Sequence, residues 1–408
     1  MKAAVVTPFM PWPADTGGKL RSFHLLRGLA ERADVDLFTV HYGEQPPEPG
    51  PLTEMCARVE SIQLQRRWSR YEPYRRTLRS LPRLLQHFHT AQSLLYLQSE
   101  LLCGYDLVVC DELAMWPYVA HLPRVGVPLV SILHKIDWMH YRELAQARPW
   151  GVDKVLDWVE SVKLKRMLRQ VAPFFNGAVV CSPEDEALLK DLYADVPTRV
   201  IINGADTDFF TPAQRQPADE PTIMFMGTMS YYPNIDAVRY FFDEMYALLQ
   251  SRVPNVRILI VGQNPVPDIR ALEKQYANVI VTGKVPDVRP YLAQSHVLMV
   301  PLRLGGGTRL KIVEAMAAGV PVVSTSVGAQ GLLDVAEEGA LVLADTPHDF
   351  VEALVRLLQA PAEEITEMTR KARRIAEERY SWRKLGADFA DFCFEVAQHA
   401  KQQVRTHV

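Results

Sequence analysis

PLRLGGGTRLKIVEAMAAGVPVVSTSVGAQG, residues 301–331, follows a short apolar strand at His296 to Val300. Three glycines, Gly305 to Gly307, lead into Thr308, Arg309, Leu310 and Lys311. These open an apolar helix carrying one acid, Glu314, and a further strand, Val320 to Ser324, starts directly after Gly319. A strand, a glycine-rich turn and a helix N-terminus together make an anion site: the backbone can approach a ligand closely, unpaired amides point at it, and the helix dipole favours negative charge. A diphosphate suits such a site. The alternative reading is a tight strand–helix turn with no ligand.

The flanking residues separate these readings. Glu314-Ala315-Met316-Ala317-Ala318-Gly319-Val320-Pro321-Val322-Val323 resembles, without a gap, the second half of the donor-binding motif of family 4 glycosyltransferases. These are retaining enzymes of the two-domain GT-B fold, and their motif reads roughly E-G-F-G-x-x-x-x-E-A-M-A-x-G-x-P-V-V. Gly307 takes the place of the glycine after the first glutamate. Gly306 takes the place of that glutamate, so the acid the family uses on sugar hydroxyls is absent. The loop G-G-G-T-R-L-K is similar to one branch of the family. The resemblance implies that Gly307, Thr308, Arg309, Leu310 and Lys311 bind the donor and that Glu314 binds a vicinal diol, such as the two ribose hydroxyls. An acid on an otherwise apolar helix is costly without a partner of that kind.

The chain has 408 residues, 48% of them hydrophobic, enough for two cores of ordinary domain size. A formal charge of −3 gives no global case for nucleic acid binding. Five cysteines (Cys56, Cys103, Cys110, Cys181, Cys393) are odd in number and form no close pair, which reads as buried reduced thiols in a cytosolic protein. The apolar run at the N-terminus is too short for a signal peptide. No apolar stretch reaches the about 18 residues that a membrane span needs. The expectation is a soluble, cytoplasmic protein with at most peripheral membrane contact.

Apolar runs of strand length alternate with helical stretches: Lys2 to Thr7, Val35 to Val40, Leu107–Cys110, Val127–Leu133, Ala178–Cys181 and Arg199–Ile202. A second series comprises Thr222–Met226, Val256–Val261, Val279–Val281, His296–Val300 and Val320–Ser324. Runs buried on both faces and alternating with helices indicate parallel sheets. The polar stretch 211–221, with three prolines, reads as a linker. The expected fold is therefore α/β: two doubly wound, Rossmann-like domains, with ligands in the cleft at the carboxyl edges of the sheets. The resemblance to GT-B assigns 1–210 to acceptor binding, 222–380 to donor binding, and 381–408 to a helix that packs back on the first domain. Residues 45 to 105 match the family little and are expected to read the acceptor.

Asp15-Thr16-Gly17-Gly18 sits where the family places a Gly-Gly loop facing the donor phosphates, so Gly17 and Gly18 are donor-site candidates; a plain turn is the alternative. Asn203-Gly204-Ala205-Asp206 resembles the family's N-G-V-D hinge, with a mostly structural logic. After Gly227, where the family usually carries an arginine and then a lysine on the phosphates, stand Thr228 and a Tyr-Tyr-Pro-Asn turn. Arg309 and Lys311 are the expected substitutes, against the reading that both are solvated helix-surface residues. Family members read the nucleobase with backbone after a glycine matched by Gly283, which makes Val285 a donor-site candidate.

His134, ending VPLVSILH, is the catalytic candidate: it would donate to a sugar hydroxyl or shape the acceptor pocket, unless it is a structural histidine. Asp111 and Glu112, ending the preceding strand, are acceptor-site candidates. No metal or other cofactor is implied, since no D-x-D stands in a suitable place and positive groups plus helix amides can carry a leaving diphosphate. Arg66, Arg67, Arg70, Arg75, Arg76, Arg79 and Arg83 crowd a stretch with Trp68, Tyr71 and Tyr74, and Lys163, Lys165, Arg166 and Arg169 form a second basic run. Such patterns suit anionic lipid headgroups, though charge runs are also ordinary solvated faces. The reading is a glycosyltransferase moving a hexose from a nucleotide diphosphate sugar to a lipid-linked, saccharide or small-molecule acceptor. The alternatives are a non-catalytic sugar nucleotide binder, or a GT-B epimerase or phosphorylase.

Overall fold

The computed structural model describes residues 1–65, 76–304 and 309–406, with the side chains of 147, 214 and 403–406 outside the description. The chain divides into two compact units, Met1–Ile202 with Leu385–Val408, and Asn203–Lys384. The division falls at the Asn203-Gly204 turn, where Asp206 Oδ1 accepts from the amides of Asp208 (3.1 Å) and Phe209 (2.9 Å). The stretch read as a linker, 211–221, belongs instead to the second unit. Its backbone bonds there through Gln216 N to Ala293 O and Ala218 N to Gln294 O, and the Arg215 guanidinium donates to Ser295 O. Polar and proline-rich composition marks an irregular segment, but its free backbone groups still find partners.

Among the described residues the first unit holds seven strands: β1 (Lys2–Thr7), β2 (Asp34–His41), β3 (Arg58–Gln63), β4 (Leu107–Asp111), β5 (Leu129–Ile132), β6 (Gly177–Val180) and β7 (Thr198–Val200). They form one sheet in the order β3-β2-β1-β4-β5-β6-β7, and each neighbouring pair is parallel. β4 is buried along its whole length and β1 after its first residue, as strands covered on both faces must be. Strand β3, RVESIQ, lacks an apolar run because it lies at the sheet edge, where each of its residues is at least partly exposed. The helix Trp382–Thr406 joins this unit from Leu385 onward: Gly386 packs backbone to backbone on Gly28, and Arg32–Asp391, Arg199–Glu395 and Lys401–Asp106 pair along its length at 2.5, 2.8 and 2.7 Å.

The second unit holds β8 (Thr222–Met226), β9 (Arg257–Val261), β10 (Val279–Gly283), β11 (Val297–Val300), β12 (Val322–Ser324) and β13 (Val342–Leu343), in the order β10-β9-β8-β11-β12-β13, again all parallel. Both sheets are doubly wound. The strand order reverses between β1 and β4 in the first and between β8 and β11 in the second, and at such switch points the loops diverge and leave a crevice for a ligand. Among the described residues no helix is long and apolar enough to cross a membrane. All five cysteines are free, and Cys103 is exposed, against the expectation that all are buried.

Candidate functional site

At the first switch point, β1 leads to the helix Gly17–Ala30. Thr16 caps it, its hydroxyl accepting from Lys19 N at 3.5 Å. The amides of Gly17 and Gly18 stand in the first turn, where no residue one turn back can accept from them. Ser22, one turn further along, donates its hydroxyl to Asp111 Oδ2 at 2.6 Å. Asp111 ends β4, and its second oxygen lies 2.6 Å from His134 Nε2, just beyond β5. The side chains of Asp111 and His134 are 1% and 9% exposed.

That pairing fixes the imidazole. With Nε2 given to a carboxylate, Nε2 carries a proton and Nδ1 is the outward nitrogen. A Cβ added at Gly18 would lie 3.8 Å from Nδ1, so the glycine loop lies against this side of the ring. Burial disfavours the imidazolium, but the charge and hydrogen bond of Asp111 outweigh it and raise the His134 pKa. Burial likewise pushes Asp111 up, and His134, Ser22 and Thr7 pull it below its ordinary value. Each Asp111 oxygen already has a partner, so this carboxylate holds His134 and Ser22 in place.

Glu112 follows with φ at +70°, an uncommon conformation for a residue other than glycine. Burial raises its pKa. Asp137, three residues after His134, has its pKa pushed up to about 7, by burial first and then by the charge of Glu112. Two carboxyls whose pKa values burial raises therefore lie near a histidine whose own pKa is raised.

At the second switch point, Gly227 follows the last residue of β8, and the loop after β11 leads to the helix Leu310–Ala317. Lys311 reaches from that helix to the end of β8. Its ammonium donates to Asn234 Oδ1 at 2.9 Å and lies 4.2 Å from the centre of the Phe225 ring. Asn234 in turn donates to Thr228 O at 2.9 Å. A Cβ at Gly227 would stand 3.0 Å from Lys311 Nζ and 2.7 Å from Asn234 Nδ2, and the residue sits at φ +154°, so a side chain would close this corner. Burial, reinforced by Arg309, lowers the Lys311 pKa to about 7; burial raises Glu314 to about 7 against the pull of Lys311. An amine and a carboxyl one helical turn apart are thus both on the verge of losing their charge.

Arg309 precedes the helix and donates to Leu304 O at 3.3 Å, and burial lowers its pKa. Leu310 is the first residue of the helix and half-buried. Val285 lies just past β10, with β9 between that strand and β8. Gly307 and Thr308 lie outside the described residues, as do Arg66, Arg67, Arg70 and Arg75 of the basic run. Two arginines of that run turn inward: Arg76 is buried, and Arg83 pairs with Asp157 and Glu160 at 3.1 and 3.3 Å. Arg83 is thus an ion-pair partner of buried acids, and neither residue belongs to a solvated face. Ser22, Asp137 and Asn234 were not singled out from the sequence. Each acts through a neighbour brought to it by the strand order, and only the nearness of Asp137 to His134 in HKID left a local signal.

Residues 17–209 match the family model described as Glycosyltransferase Family 4, and residues 220–360 match that described as Glycosyl transferases group 1. The MMP alpha-(1->4)-mannosyltransferase of Mycolicibacterium hassiacum is 27% identical over 391 residues, 89% of this chain and 91% of that protein. The lipopolysaccharide core biosynthesis mannosyltransferase LpsB of Rhizobium meliloti is 29% identical over 179 residues, 40% of this chain and half the length of that relative. Among solved structures, sucrose-phosphate synthase of Thermosynechococcus elongatus aligns over all of both chains with a TM-score of 0.71 at 18% identity. HepE of Anabaena, in complex with UDP-glucose, aligns over 96% of this chain and 99% of its own with a TM-score of 0.64 at 19% identity. At such identities these structures speak for the fold alone, and that fold is GT-B.

Proposed function

Because the chain is a glycosyltransferase of the family 4 and group 1 kind, a hexosyltransferase, we propose that it moves a hexose from a nucleotide diphosphate sugar to an acceptor with retention at the anomeric carbon. The observation that carries this reading is Lys311, held beside Gly227 at the second switch point with Glu314 one turn on. A diphosphate would restore the ammonium that burial disfavours, and a ribose diol would occupy the Glu314 carboxylate. Arg309 adds the second cation, and Lys311 stands for the basic residues that the family carries after the β8 glycine. With two cations and helix amides available, the reaction is proposed to need no metal.

In the step itself the acceptor hydroxyl oxygen bonds to the anomeric carbon as the bond from that carbon to the phosphate oxygen breaks. The acceptor proton passes to the leaving phosphate oxygen. Charge on the leaving group rises as the bond breaks, so a cation placed there stabilises the transition state more than the ground state. His134, held by Asp111 and Ser22, would present Nδ1 to a sugar hydroxyl, and Glu112 and Asp137 would shape the acceptor side. Val285, Gly17, Gly18, Gly307, Thr308 and Leu310 keep their proposed donor roles through backbone groups.

The relatives support a glycoconjugate or polysaccharide pathway, and lipid-linked acceptors suit peripheral contact with an anionic membrane from the cytoplasmic side. A thermal-shift series of nucleoside diphosphates and their sugars tests the donor reading. A ligand at 100 times its Kd stabilises the folded state by about 2.7 kcal/mol, so a cognate donor should raise Tm clearly. No shift with any nucleotide sugar, from a folded sample, contradicts the reading.

A further inference from the structure

The helix Val152–Val171 is amphipathic in an unusual sense. Its acids Asp157 and Glu160 are buried with Ser161, Leu164 and Leu168, where they hold Arg83, and Asp157 also pairs with Arg148 at 2.9 Å. Its opposite face is apolar and open. At about 100° per residue, Val155, Trp158 and Val162 share one stripe that continues into Lys165, Arg166 and Arg169. Trp158 is 59% exposed, and Trp150, just before the helix, is 88% exposed. Leu78 is also exposed, beside the carbonyls of Thr77 and Arg79 that Lys163 holds. Asp153 is the one exposed acid on the helix; it falls off the stripe and pairs with Arg148 at 3.5 Å.

We propose that this face docks the protein on an anionic lipid surface. The inference rests on the peripheral-membrane reading above and places the contact on this helix, which carries the second basic run, with its apolar stripe as the inserting part. Tryptophans and valines would settle at the headgroup level, while Lys154, over the Trp150 ring at 5.4 Å, and Arg166 and Arg169 meet lipid phosphates. An apolar stripe with cations at one end and no acid fits a surface that is apolar below and anionic above. A second copy of the chain fits poorly, since its own stripe carries no acid to meet Arg166 and Arg169.

The test is co-sedimentation of the full chain with vesicles of phosphatidylcholine alone or with phosphatidylglycerol added, across a salt series. Strong, salt-sensitive partitioning onto the anionic vesicles is expected. Arg166→Gln with Arg169→Gln should lower it about 25-fold, at about fivefold per cation, and Trp150→Ser with Trp158→Ser should lower it at least as far. Equal partitioning onto both vesicle types, or variants that bind like the parent, would overturn the proposal. So would a dimer in sedimentation velocity that the tryptophan pair abolishes. Should those variants fail to fold, brominated lipid must still quench the tryptophan fluorescence of the unaltered chain, and the absence of quenching overturns the proposal as well. None of these readouts uses a sugar nucleotide, so their failure is distinct from failure of the donor reading.

Discussion

The two switch points carry the same kinds of groups in opposite condition. At the first, His134 and Asp111 satisfy each other, with Ser22 on the remaining oxygen, and their charges are held in place by that pairing. At the second, Lys311 and Glu314 face burial with only a neutral amide and a ring as the described partners of the lysine, and both drift towards the neutral form. One edge is complete as folded. The other, on the proposed reading, is left for an anion and a diol to complete. A site that is finished without ligand contributes to folding, whereas one left unfinished opposes folding a little and gives the difference back on binding.

Removing one member of each pair breaks that comparison most directly. Asp111→Ala leaves a buried imidazolium without its counter-charge and should cost about 3–5 kcal/mol in urea unfolding. Glu314→Ala should leave stability unchanged or higher and weaken nucleotide sugar binding by about 1.5–3 kcal/mol in calorimetry. If the two substitutions affect stability alike, the contrast between the edges is wrong.

Lys311→Met sharpens the contrast through pH. The Lys311 pKa is about 7 when folded, below its ordinary unfolded value, so the folded state binds fewer protons between the two. Its contribution to stability therefore rises as pH increases from about 7 towards about 10.4, by up to about 1.4 kcal/mol per pH unit. In the methionine variant that rise disappears and nucleoside diphosphate binding falls, while nucleoside binding stays. A parallel pH slope in both proteins would mean that the amine titrates normally. The reverse sign holds at the first edge. Because the folded pKa of His134 is raised, its stabilising share is complete below about 6.5 and fades as pH climbs through the folded value, so His134→Gln should lose stability mainly at the acid end.

The smallest effect expected is at Gly18. An added methyl would make only ordinary contacts, 3.7 Å from Phe9 and 3.8 Å from His134. Gly18→Ala should thus change stability by less than about 1 kcal/mol, with the sign set by chain entropy. A larger penalty in thermal unfolding would show that the loop is packed more tightly than these contacts imply.

Much of the scaffold was legible because its central strands are continuous apolar runs, and β1 and β8 coincide with the stretches read from sequence. The edges were not: β3 is polar and β13 is two residues long, so neither leaves a hydrophobic signature. The sites were legible as residues and illegible as contacts. His134 and Asp111 each stood out at the end of a strand, but their 2.6 Å pairing follows from β4 lying beside β5, which local pattern does not encode. Lys311 stood out as a cation. That it reaches Asn234, on the helix after β8, depends on β8 lying beside β11. In the basic run, charge in sequence carries no direction, and Arg83 spends its charge on buried acids.

If nucleotide sugar binding completes the Lys311–Glu314 edge, it must exchange protons with the solvent. With both pKa values at about 7, the free protein at about pH 8 has mostly neutral Lys311 and mostly ionised Glu314, so binding must take up protons. At about pH 6 the lysine is already charged and Glu314 is mostly protonated, so binding must release them. Calorimetry with a cognate nucleotide sugar in buffers of different ionisation enthalpy should therefore show uptake on the alkaline side of 7 and release on the acid side. Binding without proton exchange at either pH would contradict the account.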